Sequence, residues 1–420
     1  LVFQSKPFIL PYCLQDFICK VKYKKKDGKM FRFLTSGESH GISLNVIIDG
    51  VPAGFDIDNE YINAQLAKRQ VGYGRGGRMK IETDKAIIKS GVRFGKSTGA
   101  PIAMEIVNKD FENWKIPMSS SPVDQNDENL AKIAEKEITN VRPGHADFAG
   151  AIKYDQQDVR NILERSSARE TAARVAVGAV AKCVLKQFGI EGFSYVLQIA
   201  EVKADENVVP DEKTIESNDL RLADTNVYEQ MKAAIDKAKE EGDTLGGKVE
   251  VIYKNLPIGL GSHVQWDRKL DGQLAQAVMS IQAVKAVEIG MGVDVAKTSG
   301  KNTHDEVFFE NGKIVRKTNN AGGLEGGITN GENLVVKASM KAIPTMKTPL
   351  SSINLKSKEA ISAHFERSDT CAVSACGVVA DAMVATVLVN VFLEKFGQDN
   401  LEQIKRNYSA YEEMLRERFE

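Results

Sequence analysis

The residues able to do chemistry in this chain are histidines and arginines set among glycines. Gly37-Glu-Ser39-His40-Gly41 follows an alternating segment that opens at Met30. It fits the G-x-S-x-G pattern of a serine nucleophile elbow, which requires strand, sharp turn and helix in that order. Its continuation, Ile42-Ser-Leu-Asn-Val-Ile-Ile, is strand-like instead, the wrong context for an elbow. Two readings remain: a glycine-flanked hairpin turn with an incidental histidine, or a turn that presents His40 as an acid–base group, a role imidazole suits near neutral pH. Arg69-Gln-Val-Gly72-Tyr-Gly74-Arg75-Gly-Gly77-Arg78-Met-Lys80 contains G-x-G-x-x-G. It follows a helical pattern and leads into extended chain, the reverse of a dinucleotide-binding fingerprint. Its four cations make it either a solvated basic loop or an anion site built by Arg69, Arg75 and Arg78.

Val141-Arg142-Pro143-Gly144-His145-Ala-Asp147 puts His145 at a Pro-Gly bend beside a guanidinium, as surface decoration or as part of a phosphate or carboxylate site. Ser167-Ala-Arg169-Glu170 fits a capping box, with Ser167 as N-cap and Glu170 at N3. That accounts for the serine and the glutamate, but not for Arg165, Arg169 and Arg174 converging on one helix start, a ready phosphate site. Five glycines in residues 321–331 serve as turns or let backbone lie flat against a ligand. His364-Phe-Glu-Arg367-Ser-Asp369-Thr370 precedes an apolar helix, with Asp369 or Thr370 as its N-cap. His263, His304 and His364 lack ligand spacing, so no tightly bound protein-ligated metal is expected.

The elements that must position these motifs alternate. Residues 42–48 read as a strand, 60–70 as a helix, 86–94 and 103–107 as extended, and 128–137 as a short charged helix. Three apolar helices are expected at about 168–188, 270–287 and 371–396, the first ending at Gly189 and the last at Gly397. Residues 201–247 are polar and acidic and read as a peripheral insertion, with a helix near 228–240; 248–253 read as a strand and 398–420 as a charged tail. Arg165-Ser-Ser-Ala-Arg and Phe188-Gly189 are echoed by Arg367-Ser-Asp-Thr-Cys and Phe396-Gly397, which points to two related halves. No dominant linker divides them. Residues 30–397 therefore read as one domain and 1–29 as an N-terminal extension or added leader.

Composition narrows the classes. The 56 Lys+Arg and 57 Asp+Glu leave a net charge of −1 over 420 residues, with 42% hydrophobic residues. This excludes wholesale disorder and the diffuse basic surface that nucleic acid or an anionic membrane attracts, while leaving room for a local cationic site. Five scattered cysteines without a CxxC argue against a disulfide framework or structural zinc and for a reducing, cytoplasmic compartment. No secretory signal is visible. Residues 371–393, with Asp381 their only charge, are long enough to raise a membrane question and read as a buried core helix.

Taken in order, the segments MFRFLTSGESHG, RQVGYGRGGRMKIETD, VRPGHADFAGAIKY, RSSARETAARVAVGA, SIQAVKAVEIG, AGGLEGGITNGE and HFERSDTCAV resemble the chorismate synthase family over residues 30–385. Ser374-Ala-Cys376 stands where that family usually has Pro-Ala-Ala, and residues 1–29 have no counterpart. The resemblance implies a lyase of the last shikimate-pathway step, converting 5-enolpyruvylshikimate 3-phosphate into chorismate and phosphate by anti 1,4-elimination. No carbonyl acidifies the C6 hydrogen, and the implied cofactor, reduced FMN, lends and recovers electron density without net redox change. A substrate with two carboxylates and a phosphate needs cations, which the arginine clusters supply.

By the same resemblance, Arg165, Ser166, Ser167, Gln282, Ala283, Gly326, Lys341, Ala342, Ile343, Pro344, Thr345 and Arg367 line FMN. Arg69 and Arg75 contact NADP by resemblance, or substrate by charge; Arg78, Arg142 and Arg169 are read as substrate-binding. His40 resembles the histidine that protonates the flavin, His145 the one that assists the leaving phosphate, and Asp369 the carboxylate that accepts the departing proton through flavin N5. The implied fold is α/β: a β-α-β sandwich with a central layer of apolar helices between two antiparallel sheets, two pseudo-related halves, assembled as a homotetramer. With no extra reductase domain in view, NADPH is expected to act indirectly through a separate flavin reductase. Two other classes stay open: a serine hydrolase using Ser39 and a non-catalytic flavin or phosphate binder.

Overall fold

The computed structural model describes residues 31–77, 83–310 and 312–419; the expectations for residues 1–29 and for Arg78 lie outside the described residues. Alternation builds the first sheet from β1 (Arg32–Ser36), β2 (Ser43–Asp49), β3 (Ala86–Ser90) and β4 (Ile102–Val107), in the antiparallel order β1-β2-β4-β3. Leu44, Val46 and Ile48 are buried and lie directly across from Ile106, Met104 and Ile102, so the apolar face is made of cross-strand pairs. Ile47 and Leu34 remain exposed.

A second antiparallel sheet contains β5 (Glu191–Ile199), β6 (Val202–Lys203), β7 (Gly247–Lys254), β8 (Val284–Ile289) and β9 (Leu334–Met340), ordered β8-β9-β7-β5-β6. Val249, Val251 and Tyr253 of β7 face the main core, and Ile252 joins Phe193, Tyr195, Leu197 and Ile215 in a separate cluster. Both faces of β7 are thus covered, so residues 249–253 are buried without alternation, Glu250 among them accepting from Tyr195 and facing Lys337. Polar as they are overall, residues 201–247 send Leu220, Leu222, Met231 and Ile235 into the main core.

Six helices matter for the site: α1 (Asn59–Gln70), α2 (Asp147–Tyr154), α3 (Arg160–Ser166), α4 (Thr171–Lys186), α5 (Leu270–Met279) and α6 (Val373–Phe396). Helix α4 packs on β1, β2 and α6, whereas α6 packs on β5, β7 and β9. The α4–α6 crossing depends on one glycine: a Cβ on Gly178 would fall 2.4 Å from the Cα of Ala382. Helix α6 is long and apolar enough to cross a membrane, but it is almost wholly buried inside the protein. The chain forms it through Ser374-Ala-Cys376 without interruption.

The structure corrects three local expectations. The apolar helix at 270–287 stops at Met279; Ala283 adopts φ +68, and Val284–Ile289 become β8. Its valines and isoleucine favour pairing with β9 once the helix has broken. Ser167 caps a short 3-10 turn through Arg169 N at 3.2 Å, but no capping box closes, because Glu170 accepts instead from Arg174 at 2.8 Å and Thr35 at 3.0 Å. Helix α6 has Ala372, not Asp369 or Thr370, at its N-cap.

Asp381, the one buried charge of α6, forms an ion pair with Lys182 of α4 and accepts from Tyr253 Oη at 2.8 Å. The pair pins the two long helices to each other and to β7. A buried ion pair that loses one partner leaves an uncompensated charge, a penalty of about 3–5 kcal/mol. Asp381→Leu should therefore destabilise the protein by that order in chemical denaturation, and adding Lys182→Met should recover most of the loss.

Candidate active site

The turn 37–41 joins β1 to β2, so strand, turn and strand follow one another and no nucleophile elbow is built. Gly37, at φ +99, makes the tight bend. Ser39 is buried, and its Oγ accepts from Ser167 Oγ at 3.2 Å. His40 Nδ1 lies 2.7 Å from Glu164 Oε1, and its ring stacks on Trp114 with centroids 4.0 Å apart. Asn108 fastens the turn by donating to Glu38 O and Gly41 O at 3.1 and 2.8 Å, while its own oxygen accepts from Arg169 Nε at 3.0 Å. Burial would raise the Glu164 carboxyl, but His40 and Arg160 outweigh it and hold the group below the usual carboxylate range.

His145 follows the expected bend, with Gly144 at φ +77. Asp147, at the start of α2 and fully buried, accepts from Arg142 Nε at 2.8 Å and meets His145 Nδ1 at 2.5 Å. Burial again works to raise this carboxyl and is overcome by His145 and Arg142, which drive it far below its ordinary value. Arg142 Nη1 reaches Thr345 Oγ1 at 2.9 Å, and Lys341 Nζ donates to Gly144 O. Lys341 N also donates to Ala283 O at 2.9 Å. One run of contacts therefore links Arg142, His145, residues 341–345 and Ala283.

The segment 364–370 ties the remaining pieces together. Ser368 Oγ donates to Thr345 O at 2.8 Å; Asp369 accepts from Gly76 N at 2.6 Å and pairs with Arg75 Nε at 2.9 Å. Glu366 accepts from Arg160 Nη2 at 2.9 Å, and Arg160 Nη1 holds Glu164 at 2.9 Å, which closes the link back to His40. Arg367 is exposed between these two anchors. Arg69 and Arg169 are buried and share Asp84, at 3.3 and 2.6 Å. Burial lowers the Arg69 guanidinium to about 10, still cationic at neutral pH.

Ser166 Oγ donates back to Ile162 O within α3 at 2.8 Å, and Arg165 projects into an open cleft of about 400 Å³ that is also lined by Thr35, Glu170, Arg174, Ser280 and Gln282. Gln282 Nε2 donates to Glu170 at 3.1 Å, while its buried Oε1 has no hydrogen-bond partner among the described residues. A buried acceptor beside an arginine fits a ligand with an amide-type donor and an anionic group, as a flavin mononucleotide has. Beside Gly326, Leu270 N, at the start of α5, donates to Gly327 O, whereas Gln282 follows the end of that helix. Ten helical residues rise about 15 Å, the length by which α5 carries the chain from Leu270, beside Gly327, to the residues that precede Gln282.

Sequence reasoning missed Asp84, Asn108, Trp114, Arg160, Glu164 and Glu366. Only the Arg160–Glu164 pair, at helical i,i+4 spacing, carried a local signal.

Glu366 illustrates the acid response. Burial raises its carboxyl, but His364 and Arg160 bring it down to about 2. A folded pKa below the unfolded value of about 4.3 contributes stability in full above that value, and the contribution is lost as pH falls toward the folded one. Urea midpoints should therefore drop between about pH 4.3 and about pH 2, and Glu366→Gln should flatten the drop in that window.

The comparisons agree with one another. The family model described as chorismate synthase matches residues 31–393. A chorismate synthase of Geobacter sulfurreducens is 53% identical over 398 residues, covering 92% of this chain and 100% of that protein. One from Brevibacillus brevis is 54% identical over 389 residues, covering 91% and 99%. A solved structure titled "Crystal Structure of Chorismate Synthase" superposes with a TM-score of 0.73 at 40% identity, over 92% of this chain and 98% of that one.

Proposed function

The chain belongs to the chorismate synthase family, lyases of the final shikimate-pathway step, and we propose that it acts as a reduced-FMN-dependent anti-1,4-eliminase on 5-enolpyruvylshikimate 3-phosphate. The observation that carries this reading is that segment 364–370 ties together three arginine–carboxylate groups, reaching His40 through Glu366 and Arg160, His145 through Ser368, Thr345 and Arg142, and Arg75 through Asp369, beside a cleft with an unpartnered Gln282 acceptor. When bound, reduced FMN would supply the transient electron density that lets phosphate leave before the C6 hydrogen does.

The chain's own residues do the rest. Arg142 and Arg75 bring fixed positive charge to the substrate's carboxylates and phosphate, in surroundings where charge is weakly screened. Arg69 and Arg169 support that charge from beneath, through Asp84. His145, with Asp147 on Nδ1, donates its proton toward the leaving phosphate oxygen. His40 holds the proton exchanged with the cofactor, and Asp369 takes up the one derived from C6. Arg165, Gln282, Ala283, residues 341–345 and Arg367 would hold the flavin. Gly326, whose neighbour Gly327 accepts from Leu270 N at the start of α5, completes that proposed set.

The finer fold reading belongs to the same proposal: a sandwich of one domain whose helical layer lies between the sheets. It is supported by α4 packing on one sheet, α6 on the other, and the two helices on each other. We extend it to a cytoplasmic homotetramer supplied by a separate NADPH-dependent flavin reductase; the exposed Leu34 and Ile47 on the outer face of the first sheet support burial against another copy.

Anaerobic phosphate release from 5-enolpyruvylshikimate 3-phosphate, assayed with reduced, oxidised or no FMN, tests the proposal. Release only with reduced FMN is expected; release without flavin sinks it, and flavin binding without release leaves a binding protein. His145→Ala should lower kcat by about 10²–10⁴-fold with substrate binding retained, and full turnover would remove its acid role.

A further inference from the structure

Building on that reading of His40, we infer that Glu164 is a positioning residue that makes Nε2 the proton-transferring nitrogen of His40. Glu164 grips the histidine at two points: its Oε1 meets Nδ1 at 2.7 Å, and its Oε2 accepts from the His40 backbone N–H at 2.7 Å. An ionised carboxylate can only accept, so the Nδ1 facing it must carry a proton whether the ring is neutral or charged. Only Nε2 is then left to gain and lose one.

The carboxylate stays ionised because Arg160 Nη1 sits 2.9 Å away, and that arginine is itself fixed by Glu366 at 2.9 Å and by Lys136 O at 2.5 Å. His364 faces the same Glu366 at 3.5 Å. Trp114 restrains the ring's tilt by stacking at 26° between planes, and is held in turn by its Nε1–H donating to Asp110 at 3.2 Å. The Arg160 guanidinium lies 4.8 Å from the Trp114 ring centroid, so the residue that ionises Glu164 also packs on the residue that orients the imidazole. Glu164, Arg160 and Trp114 thus act together on the tautomer and orientation of His40.

Glu164→Gln keeps the size and one acceptor while removing the charge. It should lower kcat about 10²-fold, leaving KM for substrate and affinity for reduced FMN within about threefold, as expected of a loss confined to the transition state. Glu164→Asp, which keeps the charge, should recover part of the rate. Nitrogen-15 NMR of histidine-labelled protein, with the His40 signals assigned by their loss in His40→Asn, should show Nδ1 protonated in the wild type and a tautomer mixture in Glu164→Gln. Unchanged kcat in folded Glu164→Gln, or a neutral wild-type ring protonated on Nε2, overturns the inference. If Glu164→Gln does not fold, the wild-type spectrum alone decides. A wild type without reduced-FMN-dependent phosphate release would instead count against the functional reading, and the spectrum would still test Glu164.

Discussion

An arginine taken out of water has to be met by a carboxylate, and here those pairs are the frame of the site. Asp84 joins Arg69 to Arg169, Asp147 holds Arg142, Glu164 holds Arg160, and Asp369 holds Arg75. In a poorly screened interior each partner is as costly to remove as it is useful to keep. Guanidinium groups can therefore be held dry and in fixed positions around one site in a chain whose net charge is only −1.

The same pairs set the histidines. His40 and His145 each meet, at Nδ1, a carboxylate that an arginine already holds ionised. The two copies of this arrangement come from different elements, α3 for Glu164 and the start of α2 for Asp147. The pattern therefore reflects a shared physical solution rather than one repeated motif. Segment 364–370 bonds to both regions and so makes them one site.

Rigidity beneath the site comes from α4 and α6. Their crossing at Gly178 and the Lys182–Asp381 pair hold two helices whose N-terminal ends lead back to Arg165–Arg169 and to Asp369. A slip between these helices would move the arginines and the carboxylate apart, so the apolar layer contributes to function through register.

What was legible in the sequence had short-range causes. The hairpin around His40, the bend before His145 and the buried run of α6 follow from glycine placement and apolar pattern, and the ordered motifs were enough to mark the family. Where a local rule failed, a distant partner had changed the outcome: Thr35, Gln282 and Arg174 drew Glu170 out of its capping box, and Arg75 drew Asp369 away from the cap of α6. The apolar stretch after Met279 could serve helix or strand, and β9 decided for strand. The sequence by itself determined which residues carry charge and proton-transfer chemistry. Only the tertiary structure decided which carboxylate each of them meets, because Asp84 with Arg169, Glu164 with His40 and Glu366 with Arg160 are separated by 85, 124 and 206 residues, distances across which no local propensity acts.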